Sequence, residues 1–155
     1  MEYRQLGQTG LTVSRLCFGS LTVGPLQARL SLKEGAAIIA AALDAGVNFI
    51  DTAELYQTYD YIQQAIAGRN NVIVASKSYD WTYQGMQSSV ENACRSLGRD
   101  YLDLFMLHEQ TSRLTLKGHE AALEYLVHAK QKGIIRAAGI STHTVEVVRA
   151  AAMME

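Results

Sequence analysis

The stretch "SLKEGAAIIAAALDAGVNFID", Ser31 to Asp51, decides the fold. Leu32, Ala36, Ile39 and Leu43 recur at helical spacing, and Ser31 followed three residues later by Glu34 is a capping box, so a helix is predicted to start at Leu32. Gly46 stops it, because a residue without a Cβ accepts the left-handed conformation that closes a helix. "VNFID" then runs apolar with little alternation, as a strand covered on both faces does. It ends on a carboxylate, and Tyr56 follows within a few residues. A chain that leaves a buried strand directly for ionisable groups must have something there to hold them.

The same unit of helix, glycine and strand recurs three times. "YDYIQQAIAG" stops at Gly68 before "NVIVASK", "MQSSVENACRSLG" at Gly98 before "DYLDLFMLH", and "HEAALEYLVHAKQKG" at Gly133 before "IIRAAGIS". With "RLCFG" (Arg15 to Gly19) ahead of the first helix, the pattern predicts five strands and four intervening helices. "TVEVVRAAAMME" begins a fifth helix, with Met153 and Met154 on its apolar side. Such alternation implies right-handed crossovers and a parallel sheet. "YRQLGQTGLTVSRL" precedes it as a short hairpin about Gly7 to Gly10. Two architectures carry this run, an open doubly wound sheet and a (β/α)8 barrel. The first usually announces a glycine-rich phosphate loop, and "GQTG" lies in the hairpin, outside the strand-to-helix context that loop needs. The second needs eight strands, and five are predicted here.

With 155 residues, 48% hydrophobic and 19% charged, the chain has the composition of one soluble globular domain, and no linker-like run divides it. A net charge of -1 leaves no basic stripe for nucleic acid and no polybasic patch for a membrane. No apolar run reaches the length of a membrane span, and the N-terminus lacks a signal-like apolar region, so a cytoplasmic protein with a small-molecule partner, and neither nucleic acid nor membrane, is expected. Cys17 and Cys94 are too few for a disulfide framework or a thiolate cluster and read as small buried hydrophobes. His119 and His128 lie on one helical stretch without a ligand set around them, so they read as solvated positions, and no metal is expected.

Parallel α/β folds concentrate function at the carboxyl ends of their strands. Here those ends carry Gly19 and Ser20, then Asp51, then Lys77, then His108 and Glu109, then Ser141 and Thr142. They are predicted to share one rim, with Tyr56 reaching back over it. A lysine ending an apolar strand needs an anion, and Asp51 on the neighbouring strand supplies one; a plain stabilising ion pair would satisfy the same pattern. The phenol and imidazole beside it point to chemistry. A tyrosine near an ammonium is expected to have a lowered pKa and to donate a proton near neutrality. "SYDWTYQG" puts Tyr79, Trp81 and Tyr83 in the loop after Lys77, lining a pocket or covering the mouth of the sheet.

Four of these stretches in order, "NFIDTAELY", "ASKS", "LFMLH" and "GIS", resemble the successive active-site signatures of the aldo-keto reductases, and "YRQLGQTGLTVSRLCFG" is similar to that family's opening. The resemblance implies a partial (β/α)8 TIM barrel, about five parallel strands with their helices, preceded by the β-hairpin that closes the barrel bottom. It implies NADPH or NADH as cofactor and reduction of a small aldehyde or ketone to an alcohol. In that reading hydride passes from C4 of the nicotinamide to the carbonyl carbon and Tyr56 gives the proton to the oxygen. Lys77 depresses the tyrosine pKa, Asp51 holds Lys77, and His108 orients the carbonyl. Gly19, Ser20, Asp51, Ser141 and Thr142 fall at positions implied to bind the cofactor, Ser141 on the nicotinamide carboxamide. Where the family commonly carries asparagine this chain has Thr142, so one carboxamide contact is lost or passes to His143.

"GISTH" is similar to a branch whose members often carry a C-terminal iron-sulfur tail, and no such tail lies in these residues. The resemblance also places the strands that grip most of the cofactor beyond this stretch, so 1–155 is expected to be a single, truncated domain lacking the C-terminal part of the barrel. A partial barrel leaves its first and last strands unpaired and one apolar sheet face open to water. The alternative reading is therefore a catalytically inactive partial barrel acting as a self-associating or partner-binding structural module; a homo-oligomer or the missing C-terminal half is the expected macromolecular partner.

Overall fold

The computed structural model describes residues 1–153. The predicted antiparallel hairpin comes first, β1 (Tyr3–Gln5) and β2 (Thr12–Ser14), and then the units β3 (Phe18–Gly19), α1 (Leu32–Asp44), β4 (Phe49–Asp51), α2 (Tyr59–Ile66), β5 (Ile73–Ser78), α3 (Tyr83–Leu97) and β6 (Leu102–Leu107). After β6 come α4 (Arg113–Gly118), α5 (Glu120–Gln131), β7 (Ile135–Ile140) and α6 (Val145–Ala151). Single turns of 3-10 helix, Ser20–Thr22 and Glu54–Tyr56, follow β3 and β4. The sheet order is β3-β4-β5-β6-β7, every pair parallel. Strand order that never reverses has no topological switch point, which rules out the doubly wound sheet and leaves the barrel type.

Local signals explain most of the element ends. The Ser31 hydroxyl accepts the Glu34 N–H while the Glu34 carboxylate accepts the Ser31 N–H, closing the capping box. Gly46, Gly68, Gly98 and Gly133 all take positive φ where the sequence places helix stops. The buried stripe of α1 is Gly35, Ala36, Ile39 and Leu43, whereas Leu32, expected on it, is 45% exposed. Gly35 is small for a reason, since a Cβ there would meet the Tyr61 ring of α2 at 2.4 Å. Four further expectations change. Helix α4 was not predicted, Tyr83 opens α3 instead of lying in a loop, β3 is only two residues long, and Cys17 is exposed with Cys94 half-buried. Helix α6 ends at Ala151 and Met153 is exposed, while Met154 lies outside the described residues. No helix among the described residues is long and apolar enough to cross a membrane.

The two faces of the sheet are covered differently. Against the helices lies the main core, with Ile50, Val74, Phe105 and Leu107 facing Ile39, Ile62, Val90 and Leu126. Burying a side chain such as Phe105 completely contributes about 2–3 kcal/mol. The opposite face carries a smaller cluster, Ile73, Ala75, Leu104 and Ala137, onto which the hairpin sets Leu11 and Val13. The apolar face expected to stand open is thus closed at its amino end. Asn48 pins the hairpin there: its side-chain oxygen accepts the Ser14 N–H at 2.6 Å, and its amide donates to the Thr12 carbonyl at 3.0 Å.

Candidate active site

Alternation along the strands builds the rim. Ile73, Ala75 and Lys77 follow one another on one face of β5, as do Leu104, Met106 and His108 along β6, and Phe49 and Asp51 on β4. The face that is apolar near the hairpin therefore becomes ionic at its carboxyl end. Lys77 is 5% exposed, and its Nζ donates to Asp51 Oδ1 and to the Thr52 carbonyl, each at 2.7 Å. An ammonium removed from water needs such acceptors. Register puts Gly19 beside Asp51, so β3, β4 and β5 bring Gly19, Asp51 and Lys77 together.

Tyr56 ends the 3-10 turn after β4, its ring centre 5.1 Å from Lys77 Nζ and 5.6 Å edge-on from the His108 ring. The four residues expected at the rim, Asp51, Tyr56, Lys77 and His108, thus form one cluster. The residues directly after the tyrosine and the histidine, Gln57 (φ 55) and Glu109 (φ 46), are both left-handed without being glycine. Each such residue costs about 1–2 kcal/mol, and strain of this kind persists where the surroundings over-determine it. A ladder of buried hydroxyls holds the Tyr56 turn from below, Ser20 to Thr58 at 2.8 Å and Thr58 to Thr52 at 2.9 Å.

The electrostatics correct one expectation. The Tyr56 phenol sits above its ordinary value, pushed by burial first and then by the Asp51 and Glu109 carboxylates. The Lys77 ammonium beside it donates its hydrogen bonds to Asp51 and the Thr52 carbonyl instead of to the phenol. His108 is held below the usual histidine range by burial and then by the Lys77 charge. Its buried Nδ1 has no hydrogen-bond partner.

Of the positions expected to bind a cofactor, Gly19 is open, and a Cβ built on it would meet nothing within 4 Å. Ser141 follows β7 at the rim; its Oγ accepts the Glu109 N–H at 2.8 Å, leaving its own proton free to donate. Thr142 is half-exposed and takes the Thr144 N–H at 3.1 Å. Ser20 stands apart from the rest. It is fully buried with its hydroxyl on Thr58, because the chain turns into the 3-10 helix one residue after β3.

Two groups join the expected tetrad at the rim. Glu54 and Asp80 share the hydroxyls of Ser78 and Ser89, at 2.8, 2.9, 3.2 and 2.5 Å. Tyr79 stacks on the His108 ring at 4.3 Å and donates its hydroxyl to Glu109, whose other oxygen lies 3.3 Å from His143 Nε2. The sequence placed Glu109 at a strand end and Tyr79 in the loop after Lys77, but nothing in it signalled that the two side chains meet. His128, expected to be solvated, hydrogen-bonds the Tyr83 hydroxyl. A pocket of about 340 Å³ opens over the rim, walled by Leu21, Leu26, Leu55, Tyr56, Tyr79 and His108. A larger cavity, about 580 Å³, lies at the opposite end of the strands around Arg69 and Arg99 and holds none of the rim groups.

Known proteins match the chain throughout. The model of the aldo/keto reductase family covers residues 15–155. Aldo-keto reductase YhdN of Bacillus subtilis is 30% identical over 94% of this chain and 48% of its own length. A probable voltage-gated potassium channel subunit beta of Oryza sativa is 29% identical over 82% of this chain and 43% of its own. The chain therefore spans about half the length of the curated relatives it matches. Among solved structures, aldo-keto reductase AKR11C1 of Bacillus halodurans in its holo form superposes with a TM-score of 0.83 at 28% identity, covering 97% of this chain and 53% of that one. The five sequential parallel strands with their helices match the barrel of those neighbours. A family match that starts just before β3 and takes in every rim residue settles the relationship: the chain belongs to the aldo/keto reductase family, a family of oxidoreductases.

Proposed function

We propose that these residues form the proton-donating part of a reductase that converts a small aldehyde or ketone to an alcohol with NADPH or NADH, and that Tyr56 is its general acid. The observation that carries the reading is the buried Lys77, held by Asp51 and Thr52, with Tyr56 and His108 beside it and a pocket in front of them. When bound, a reduced nicotinamide supplies the hydride. The rest falls to this chain. Negative charge grows on the carbonyl oxygen as its carbon is reduced, and Tyr56 O–H and His108 face the pocket where that oxygen would lie. A phenol kept above its ordinary value remains protonated at neutral pH, and an alkoxide is a far stronger base, so the transfer runs downhill without help from Lys77. Lys77 then serves to fix Asp51 and the loop carrying Tyr56, and its charge favours a neutral His108.

The donor set fits a nicotinamide cofactor. Gly19 leaves room beside Asp51, and the Ser141 hydroxyl has a proton to give to a carboxamide, with Thr142 next to it. The holo form of the Bacillus halodurans relative supports the same assignment. Titrating the protein with NADPH and with NADH, then adding an aldehyde, tests it. Tyr56→Phe is expected to lose carbonyl reduction by at least about 10²-fold while still quenching cofactor fluorescence on binding. Full turnover by that variant would remove Tyr56 from the mechanism. Failure to bind either nucleotide would favour the non-catalytic module.

A further inference from the structure

We propose that Glu109 is a positioning residue that holds the Tyr79 ring against His108 and so fixes the imidazole in the pocket. The inference rests on the reading of His108 as the group that orients the substrate carbonyl. His108 makes no hydrogen bond through its buried Nδ1, so no polar partner on that side sets the rotation of its ring. What lies against the ring instead is Tyr79, nearly parallel to it at 25° and 4.3 Å. Tyr79 itself is 43% exposed and belongs to the loop after β5, where packing alone would leave it free to swing. Its tether is the hydroxyl it donates to Glu109.

Glu109 is in turn held from three directions. Its backbone takes a left-handed φ of 46, its N–H is fixed on Ser141 Oγ at 2.8 Å, and His143 approaches its second carboxylate oxygen at 3.3 Å. The left-handed turn aims the carboxylate of a residue following β6 toward the loop following β5. A strap therefore runs from β7 through Glu109 to Tyr79 and ends on His108. It also shares Ser141 with the expected carboxamide site, so the two sides of the pocket are tied through one backbone amide.

The test follows the His108 ring protons by NMR, assigned with His108→Asn, because a stacked tyrosine shifts them upfield whether or not the protein turns over. Glu109→Asn suits the left-handed backbone yet withdraws the acceptor by one methylene, whereas Glu109→Gln keeps both the reach and an acceptor oxygen. The expected result is that Glu109→Asn and Tyr79→Phe each move the His108 signals downfield, that the double variant moves them no further, and that Glu109→Gln stays near the parent. In turnover, Glu109→Asn should lower kcat about tenfold with cofactor binding unchanged. Unmoved His108 signals in Glu109→Asn, or additive shifts in the double variant, would overturn the positioning role and leave the reductase reading standing. Shifted signals in a protein that reduces no carbonyl would support the strap and overturn the reductase reading.

Discussion

Asp103 and Asp51 both meet basic side chains on this parallel sheet, one near the amino end of β6 and the other at the carboxyl end of β4. Asp103 is 2% exposed and every demand on it is met: Arg99 at 3.1 Å, Arg136 at 2.9 Å and the Val74 N–H at 3.0 Å. Asp51 is 36% exposed at its side chain and holds a single lysine, next to a phenol, an unpartnered imidazole nitrogen and a pocket. An ion pair by itself marks no site. A pair whose neighbours still have hydrogen bonds to give, facing space, does.

The sharpest way to break the contrast is to exchange the consequences. Lys77→Met is expected to cut carbonyl turnover by at least about 10²-fold, because the loop carrying Tyr56 loses its anchor, read by steady-state cofactor oxidation. It should lower stability by only about 1 kcal/mol, because the aspartate it abandons can hydrate. Asp103→Ala should do the reverse, costing about 3–5 kcal/mol in urea unfolding, since it strands the largely buried Arg99 and a buried amide, while the folded fraction binds cofactor normally. Equal stability losses from the two would erase the distinction between a structural and a functional aspartate.

A smaller effect is expected at the hairpin. Asn48→Ala removes the acceptor for Ser14 N–H and the donor to Thr12, so about 1–2 kcal/mol of local stability should go, seen as faster amide exchange in β1 and β2 with β5 and β6 unchanged. The smallest concerns pH. The folded protein holds His108 below its ordinary value, so it binds fewer protons at this ring than the unfolded chain does. Stability contributed there is fully present above about pH 6.5 and is lost as pH falls through that unfolded value toward the folded one. Replacing His108 by Asn should flatten that part of the stability profile.

The order of elements was legible because each unit carried its own start and stop. Ser31 with Glu34 and the glycines at 46, 68, 98 and 133 work locally, and the structure keeps them. Helix α4 was missed because its capping box uses Thr115 in place of a glutamate, and because it is only six residues long, its last residue Gly118 passing through His119 straight into α5. Tyr83 was misplaced because Thr82 caps α3 with a side chain that reads equally well as loop. At the site, residue identities were legible and their couplings were not. The expected fall in the Tyr56 pKa counted Lys77 and left out first the burial of the ring and then the Asp51 and Glu109 carboxylates, and how deeply a loop buries a ring is encoded in no periodicity. The burial of the Ser20 hydroxyl was illegible for the same reason, since one turn of 3-10 helix sends it inward.

The hydroxyl ladder from Ser20 through Thr58 to Thr52 has a consequence for how this surface can diversify. It braces the loops after β3 and β4 to each other through hydrogen bonds that leave out the loop after β5, which carries Tyr79 and Trp81. Thr52 also lends its carbonyl to Lys77, so Tyr56, the proposed proton donor, and the lysine beside it are both fixed on the braced side. Gly24 keeps that side tight, because a Cβ there would meet Thr58 Cγ2 at 2.5 Å. Exposed positions of that loop such as Trp81 can therefore change without loosening the turn that carries Tyr56, whereas Tyr79 is tied to His108. On the reductase reading proposed above, change in what the pocket admits and retention of the proposed acid fall to separate mechanical parts of the same rim.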